Sequence, residues 1–284
     1  MPFKPLKMII FRTIKPLQNR LGRSTEKISF VPTMGALHDG HISLLKMAPK
    51  DTIRVCSIFV NPTQFNDPSD YQHYPVTIEK DIEKLTEAGV DILFLPSVEE
   101  MYPEGPTHKE HYDLGDLESV FEGEFRPGHY QGVCQVVDKL LSIVRPDTLF
   151  MGQKDYQQCM VIRRLLELKK HPTELVMGPT LRETDGLAMS SRNVRLTPDE
   201  RQQAVSIWKT LQWFRENLGK YSPADLGKQA SEKLLSNGFH KVDYFTLADA
   251  RNLTPLKEWT PDTESVILCA AFLGQVRLID NLFP

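Results

Sequence analysis

Two imidazoles three positions apart, His38 and His41, stand in the stretch Phe30-Val31-Pro32-Thr33-Met34-Gly35-Ala36-Leu37-His38-Asp39-Gly40-His41. Paired imidazoles donate hydrogen bonds to oxygens that gain negative charge, the usual device for stabilising phosphoryl chemistry. Upstream, Ile28, Phe30 and Val31 predict a short buried strand. Downstream, Ile42 to Met47 has the spacing of a helix with one apolar face. Gly35 and Gly40 remove side chains where a bulky ligand must approach the backbone. His41 then falls at or near a helix N-terminus, where spare N–H groups and the dipole favour phosphate. Taken alone, the stretch is equally a strand-to-helix turn with two solvated histidines. Other segments supply the missing groups.

Gly152-Gln153-Lys154-Asp155-Tyr156-Gln157-Gln158 places a lysine and amides after a second strand, suited to a polyanion beside a carboxylate. Lys154 acts there as a point charge and Gln158 as an orienting donor. Arg182-Glu183-Thr184-Asp185-Gly186-Leu187-Ala188-Met189-Ser190-Ser191-Arg192-Asn193 offers two hydroxyls and a guanidinium on a Gly-containing loop. Such a loop can close over a triphosphate and expel water, though a polar linker has the same composition. Asn61 and Gln64 present neutral amides at a strand end, suited to the hydroxyls and carboxylate of a small substrate. Asp81, on a helix, can hold a magnesium-bound phosphate through water, or be a surface acid. Glu122 and Arg126 are site residues or a local ion pair. His108 and His111 have metal-compatible spacing but polar, Pro- and Gly-flanked surroundings that suit a solvated loop. No G-x-G and no G-x-x-x-x-G-K-[ST] occurs, so the two commonest phosphate cradles are absent.

Strand and helix signals alternate through the first part of the chain. Strands are expected at Ile53 to Val60, Val90 to Leu95, Leu149 to Met151 and Leu175 to Met177. Helices are expected near Ile14 to Gly22 and over Thr77 to Ala88, Gly132 to Val144 and Tyr156 to Leu168. That alternation favours a parallel sheet with helices on both faces, whose ligands bind beyond the carboxyl ends of the strands. His38, Asn61, Gln64 and Lys154 all occupy post-strand turns. Near Pro179 the pattern changes. A capping box at Thr197 to Glu200 opens a helix running to about Leu218, and Ser222-Pro223 opens a second ending near Asn237. Val242 to Leu247 and a hairpin around Leu273-Gly274-Gln275 follow. Residues 1–179 and 180–284 are read as two domains, the second a smaller α+β lid.

At 284 residues, with 40% apolar and 25% charged residues, the composition is that of an ordinary globular protein. A net charge of −3 argues against a general nucleic-acid binder. Cys56, Cys134, Cys159 and Cys269 lack a C-x-x-C arrangement and read as buried free thiols. No signal peptide or membrane span is evident, so a cytoplasmic enzyme is the expectation.

Four motifs in order resemble the pantoate–β-alanine ligase family, within the nucleotidyltransferases that carry HIGH and KMSKS-type signatures. They are P-T-M-G-A-L-H-x-G-H at Pro32 to His41, S-I-F-V-N-P-x-Q-F at Ser57 to Phe65, G-x-K-D-Y-Q-Q at Gly152 to Gln158 and D-G-L-A-M-S-S-R-N at Asp185 to Asn193. The resemblance implies a Rossmann-like doubly wound sheet with a smaller C-terminal domain. It implies ATP-dependent condensation of pantoate with β-alanine through pantoyl adenylate, with Mg2+ and no tightly bound organic cofactor. His38, His41 and Lys154 match phosphate-contacting positions, His41 as proton donor. Met34, Gly35, Ala36, Leu37, His38, Asp39, Gly40, His41, Gly152, Gln153, Lys154, Asp155, Leu181, Met189, Ser190, Ser191 and Arg192 match ATP-binding positions. Gln64 and Gln158 match the pantoate site, with Asn61 beside them, and Asp81 matches a carboxylate near the metal. Relatives are usually homodimers. Two departures stand out: Val76 where many relatives carry Arg, and Lys80 before Asp81 where some have a second acid. A tRNA-charging or cytidylyl-transferring relative, or a nucleotide-binding module without turnover, are the competing readings; neither nucleic acid nor membrane is an expected partner.

Overall fold

The computed structural model describes residues 8–65, 71–106 and 110–284. The chain forms two compact units. The first comprises the described residues within Met1–Leu114, Arg126–Gly152 and Val161–Gly178, and the second Gly115–Phe125, Gln153–Met160 and Pro179–Pro284.

The first unit is built on six parallel strands: β1 (Ile9–Phe11), β2 (Ile28–Thr33), β3 (Ile53–Ile58), β4 (Ile92–Phe94), β5 (Thr148–Gly152) and β6 (Glu174–Gly178), in the order β1-β4-β3-β2-β5-β6. From β2 the chain winds outward through β3 to β4, then returns to lay β5 and β6 on the other side. The β2–β5 border is therefore the switch point, where an open α/β sheet leaves a crevice for ligands. Pairing across that border covers only Ser29↔Thr148 and Phe30↔Leu149. Pro32 explains why it stops. The Ile28 carbonyl accepts from Asp147 of the β5 side, whereas the Thr33 carbonyl accepts from Phe59 beyond β3. Alternation along β2 thus turns residue 32 toward β5, and proline has no N–H to give. The strip β1 lies outside the elements that the apolar pattern predicts, because three residues carry too little periodicity.

Helix Asp39–Met47 buries Ile42, Leu44 and Leu45, which join Val31, Cys56, Ile58, Leu85, Leu93 and Phe150 in one core. A methyl group on Gly178 would meet Leu44 at 2.3 Å and the Met47 sulfur at 2.9 Å, so the end of β6 needs glycine for this helix to sit down. Helix His129–Val144 starts earlier than the apolar spacing predicts, because His129, Tyr130 and Gln131 are buried too.

The second unit carries an antiparallel sheet, β7 (Lys241–Asp249), β8 (Ser265–Leu273) and β9 (Val276–Leu282), in that order, with Gly274 at φ 53° in the β8–β9 hairpin. Helices Ser206–Glu216 and Pro223–Ser236 share its core, where Phe214 stacks on Phe245 at 5.6 Å. The Thr197/Glu200 capping box is present. The single helix expected to follow it is instead two, Pro198–Ala204 and Ser206–Glu216. Val205 keeps a helical backbone (φ −60°, ψ −21°), but its N–H turns to Gln203 and interrupts the ladder. Gly115–Phe125 is tied into this unit by a buried amide and an ion-pair cluster. Gln157 donates to the Leu117 and Val120 carbonyls and accepts from the Glu122 N–H. The Glu122 carboxylate takes hydrogen bonds from Tyr244 and Arg277, and Asp243 holds the other side of Arg277.

All four cysteines are free and buried, and burial pushes the Cys56 thiol up to about 12. Among the described residues no helix is long and apolar enough to cross a membrane.

Candidate active site

In the first unit the turn after β2 is assembled almost entirely by hydrogen bonds to its main chain. The Thr33 hydroxyl donates to the Ser57 carbonyl (2.7 Å) and accepts from the Gly35 N–H (3.2 Å), fastening the strand end. Gly35 then takes φ +85° and Ala36 φ +48°, a left-handed step that reverses the chain and costs a non-glycine residue about 1 kcal/mol or more. Asp81 holds that step in place. It is 1% exposed, and its carboxylate accepts from the N–H groups of Ala36 (2.9 Å) and Leu37 (2.8 Å) and from the Thr77 hydroxyl (3.1 Å). One helical turn on, Lys84 donates to the Leu37 carbonyl.

The turn delivers the two imidazoles side by side, ring centroids 4.0 Å apart, at the start of helix Asp39–Met47. The His38 N–H donates to His41 Nδ1 (3.3 Å). That bond needs a lone pair on Nδ1, so His41 is the tautomer with its hydrogen on Nε2. Nδ1 of His41 is thereby taken up by the main chain of its own turn.

Asn61 and Gln64 follow β3. Asn61 is 1% exposed and its amide is spent inside the protein: Oδ1 accepts from the Tyr102 hydroxyl (2.9 Å), and Nδ2 donates to the Gly132 carbonyl (3.1 Å) and to Gln64 Oε1 (3.2 Å). Gln64 Nε2 lies 2.9 Å from the Met34 sulfur, and the Gln64 carbonyl accepts from His129 Nδ1 at 2.7 Å. Gly132 lets helix His129–Val144 come this close, since a methyl group there would meet the Thr63 carbonyl oxygen at 2.3 Å. The geometry makes Asn61 an orienter of Gln64. Tyr102, His129 and Gly132 escape sequence reasoning, because each acts through a contact with main chain or with another side chain.

In the second unit, Gln153–Asp155 forms a short 3-10 turn, and Lys154 Nζ lies 3.2 Å from Asp155 Oδ1. Its backbone is held from β9: Asn281 Nδ2 donates to the carbonyls of Gln153 and Lys154 (both 2.8 Å), and Asn281 Oδ1 accepts from Gln153 Nε2 (3.1 Å). The neighbouring Asp280 makes a two-pronged pair with Arg182 (2.6 and 2.9 Å). Burial pushes the Asp280 carboxyl above the usual range, and the Arg182 guanidinium pulls it back. Leu181 to Met189 folds back on itself, with Met189 N–H donating to Leu181 and Glu183 N–H to the Leu187 carbonyl. Gly186 is required at its tip: φ is +96°, and a methyl group would sit 2.0 Å from the Trp208 ring, on which Arg182 also stacks at 3.8 Å. Ser190 caps the following 3-10 turn, Ser191–Arg195, through the Arg192 N–H, and Asn193 ties back to the Ala188 carbonyl (3.0 Å). Gln158 sits half-buried on helix Tyr156–Leu168, where Gln157 is the structural member of the pair.

Among the described residues, no group of three or more His, Cys, Asp or Glu is placed to hold a metal ion. Asp81 does not fit a direct ligand, since both of its oxygens already serve N–H groups of the turn. His111 is exposed, and His108 lies outside the described residues. Glu122 and Asp243 bracket Arg277, and Glu122, which also accepts from the Tyr244 hydroxyl, belongs to the packing of Gly115–Phe125.

The profile of the pantoate-beta-alanine ligase family matches residues 9–283. A pantothenate synthetase of Aliivibrio fischeri is 44% identical over 281 residues, 97% of this chain and 96% of that protein. The crystal structure of a pantothenate synthetase from Thermus thermophilus superposes with a TM-score of 0.90 at 41% identity, covering 97% of this chain and 99% of that one. A pantoate-beta-alanine ligase from Francisella tularensis, solved with a β,γ ATP compound and β-alanine, gives a TM-score of 0.82 at 37% identity, with 98% of each chain covered. With a full-length family match, relatives above 40% identity and the paired-histidine turn in place, the chain belongs to the pantoate–β-alanine ligase family.

Proposed function

We propose that the chain joins pantoate to β-alanine through pantoyl adenylate, using ATP. In the first step a pantoate carboxylate oxygen bonds to the α-phosphorus of ATP. The bond from that phosphorus to the bridging oxygen breaks, and diphosphate leaves. In the second, the β-alanine amine adds to the acyl carbon and loses a proton, and AMP departs with the carboxylate oxygen. Adenylation is needed because a free carboxylate has no leaving group that an amine displaces at neutral pH. His38 and His41 donate to phosphate oxygens as charge builds on them, Lys154 adds a point charge, and Ser190, Ser191 and Arg192 bind the leaving diphosphate. Gln64 and Gln158 hold pantoate, with Asn61 fixing the Gln64 amide, and Leu181 and Met189 border the nucleotide. Magnesium would accompany the ATP phosphates and offset their charge, as is common for this ion. A cytoplasmic homodimer is the expected setting.

The observation that carries this reading is the His38–His41 pair at a helix start, with the His38 N–H donated to His41 Nδ1. The test omits each substrate in turn. Isotope exchange between diphosphate and ATP is expected to need pantoate alone, and AMP release to need β-alanine as well. His41→Ala and Lys154→Ala are expected to fold normally and lose on the order of 100-fold or more in turnover. Exchange that ignores pantoate, or near-normal turnover in either variant, sinks the reading.

A further inference from the structure

β9 carries two adjacent buried polar residues near the end of the chain, and each is bonded to a different nucleotide-binding segment of the second unit. Asn281 is 1% exposed and makes three hydrogen bonds to the Gln153–Lys154 turn, two of them to main-chain carbonyls. Both carbonyls are satisfied by a buried amide, and a buried acceptor left unpaired is costly. Asp280 is 4% exposed and grips Arg182 with both oxygens, while its Oδ1 also accepts the Asn281 N–H (2.8 Å). Arg182 reaches on to the Gly186 carbonyl (3.1 Å) and the Asn281 carbonyl (3.2 Å). Its backbone also pairs with Ala188 as an isolated bridge, so Arg182 ties the arm running to Met189 and Ser190 through both main chain and side chain.

We propose that Asp280 and Asn281 form a positioning pair: Asn281 aims Lys154, and Asp280, through Arg182, sets the arm that carries Met189, Ser190 and Ser191. The assignment rests on the reading that Lys154 and the serine loop bind ATP. Neither residue touches the nucleotide. Asn281 governs where the Lys154 main chain sits, and hence where its ammonium reaches. Because the two residues are consecutive on one strand, the lysine turn and the serine arm share a single anchor. A shift of β9 moves both together. This accounts for amide and acid types at positions that a solvent-facing strand end would leave to any polar residue.

The test is a double-mutant cycle on the full chain, using Asn281→Ala, Lys154→Ala and their combination. AMP release and the ATP-induced rise in unfolding temperature are both measured. Asn281→Ala alone is expected to raise the ATP KM or lower kcat by roughly 10-fold, with the pantoate KM within about 2-fold of the parent, as expected when one buried polar contact is lost. In the Lys154→Ala background the same change is expected to cost less than about 2-fold, because its effect passes through the lysine. Losses that multiply, or an Asn281→Ala variant indistinguishable from the parent, overturn the proposal. Should Asn281→Ala not fold, Asp280→Asn keeps the shape and one acceptor and is expected to raise the ATP KM selectively. If both variants fail to fold, the pair is structural and the proposal falls. A parent chain that forms no AMP with pantoate sinks the functional reading alone, since the ATP-induced shift of the same four proteins still decides whether Asn281 works through Lys154.

Discussion

Two turns carry most of the chemistry-bearing residues, and they are held in opposite ways. Met34–His41, in the first unit, has main-chain N–H groups to spare at Ala36 and Leu37, and a buried acid, Asp81, accepts them. Gln153–Asp155, in the second unit, has main-chain carbonyls to spare, and a buried amide, Asn281, donates to them. In both cases the holding residue lies far outside the motif it holds: 45 and 44 positions for Asp81, 128 and 127 for Asn281. The difference follows from which backbone groups each turn leaves unpaired. Both turns leave a strand and run into a helix, so what differs is the group each leaves to be paired: donors at Ala36 and Leu37 take a carboxylate, and acceptors at Gln153 and Lys154 take an amide. The motifs carry the chemistry-bearing side chains, and buried residues elsewhere hold their main chain.

The largest effect is expected at Asp81. Asp81→Ala leaves the Ala36 and Leu37 N–H groups buried without a partner, in a turn that already holds Ala36 at positive φ. A loss of about 3 kcal/mol in urea unfolding is expected, since each orphaned buried group costs about 1–3 kcal/mol. AMP formation should fall with it, because His38 and His41 follow directly on this turn. Asp81→Asn retains one acceptor oxygen and should lose less. The comparison breaks if raising magnesium restores the activity of Asp81→Asn, since only a metal-linked role for the carboxylate responds that way.

A middle-sized effect is expected where helix His129–Val144 meets the turn after β3. Gly132→Ala drives a methyl group to 2.3 Å from the Thr63 carbonyl oxygen and 2.9 Å from the Gln64 Cα. The helix or the turn must give way, at an expected 1–3 kcal/mol, about the usual cost of overpacking. Because Gln64 moves with the turn, the pantoate KM should rise while the ATP KM stays close to the parent's. An ATP KM that rises equally would show that the two turns of the first unit are not held independently, and would sharpen the comparison into one between whole units.

Much of the architecture was legible in the chain because it is written in short-range patterns. A β-branched run marks β3, an apolar run beside a Gly turn marks β8, apolar spacing marks helix Ile78–Glu87, and the capping box marks Thr197. The candidate site residues were legible for a different reason: His38, His41, Lys154 and the Ser190-Ser191 pair cluster in motifs. What the sequence hides is every partner whose contact is with main chain. The surface reading of Asp81 fails because it is buried, and its bonds to two N–H groups of the turn have no mark in the sequence. The bonds of Asn61 to Tyr102, Gly132 and Gln64 have none either. Asn281 and Asp280 carry no local signal at all, because their partners lie at Gln153 and Arg182. Strand β1 and the break at Val205 are missed for want of length: three residues, or one, do not establish a period.

The smallest effect belongs to the exposed counterpart of these buried anchors. Asp185, in the Asp185-Gly186 tip, pairs with Arg201 at 2.8 Å and accepts from the Leu187 N–H at 3.2 Å, with its side chain 42% exposed. The hydrogen bond from Arg201 holds its carboxyl below the ordinary aspartate value of 3.8. A lowered folded-state value means that the folded chain gives up this proton more readily than the unfolded one. The pair therefore stabilises the fold in full above pH 3.8 and stops doing so as pH falls through the folded-state value. Solvent and salt screen so exposed a pair, so Arg201→Ala should cost no more than about 1 kcal/mol at neutral pH. Its unfolding curve should merge with the parent's in acid. A loss as large as that of Asp81→Ala, or one that persists at pH 2, would mean that the tip is anchored through Arg201 rather than through Arg182 and Asp280. The division between buried anchors and exposed trim would then fail in the second unit.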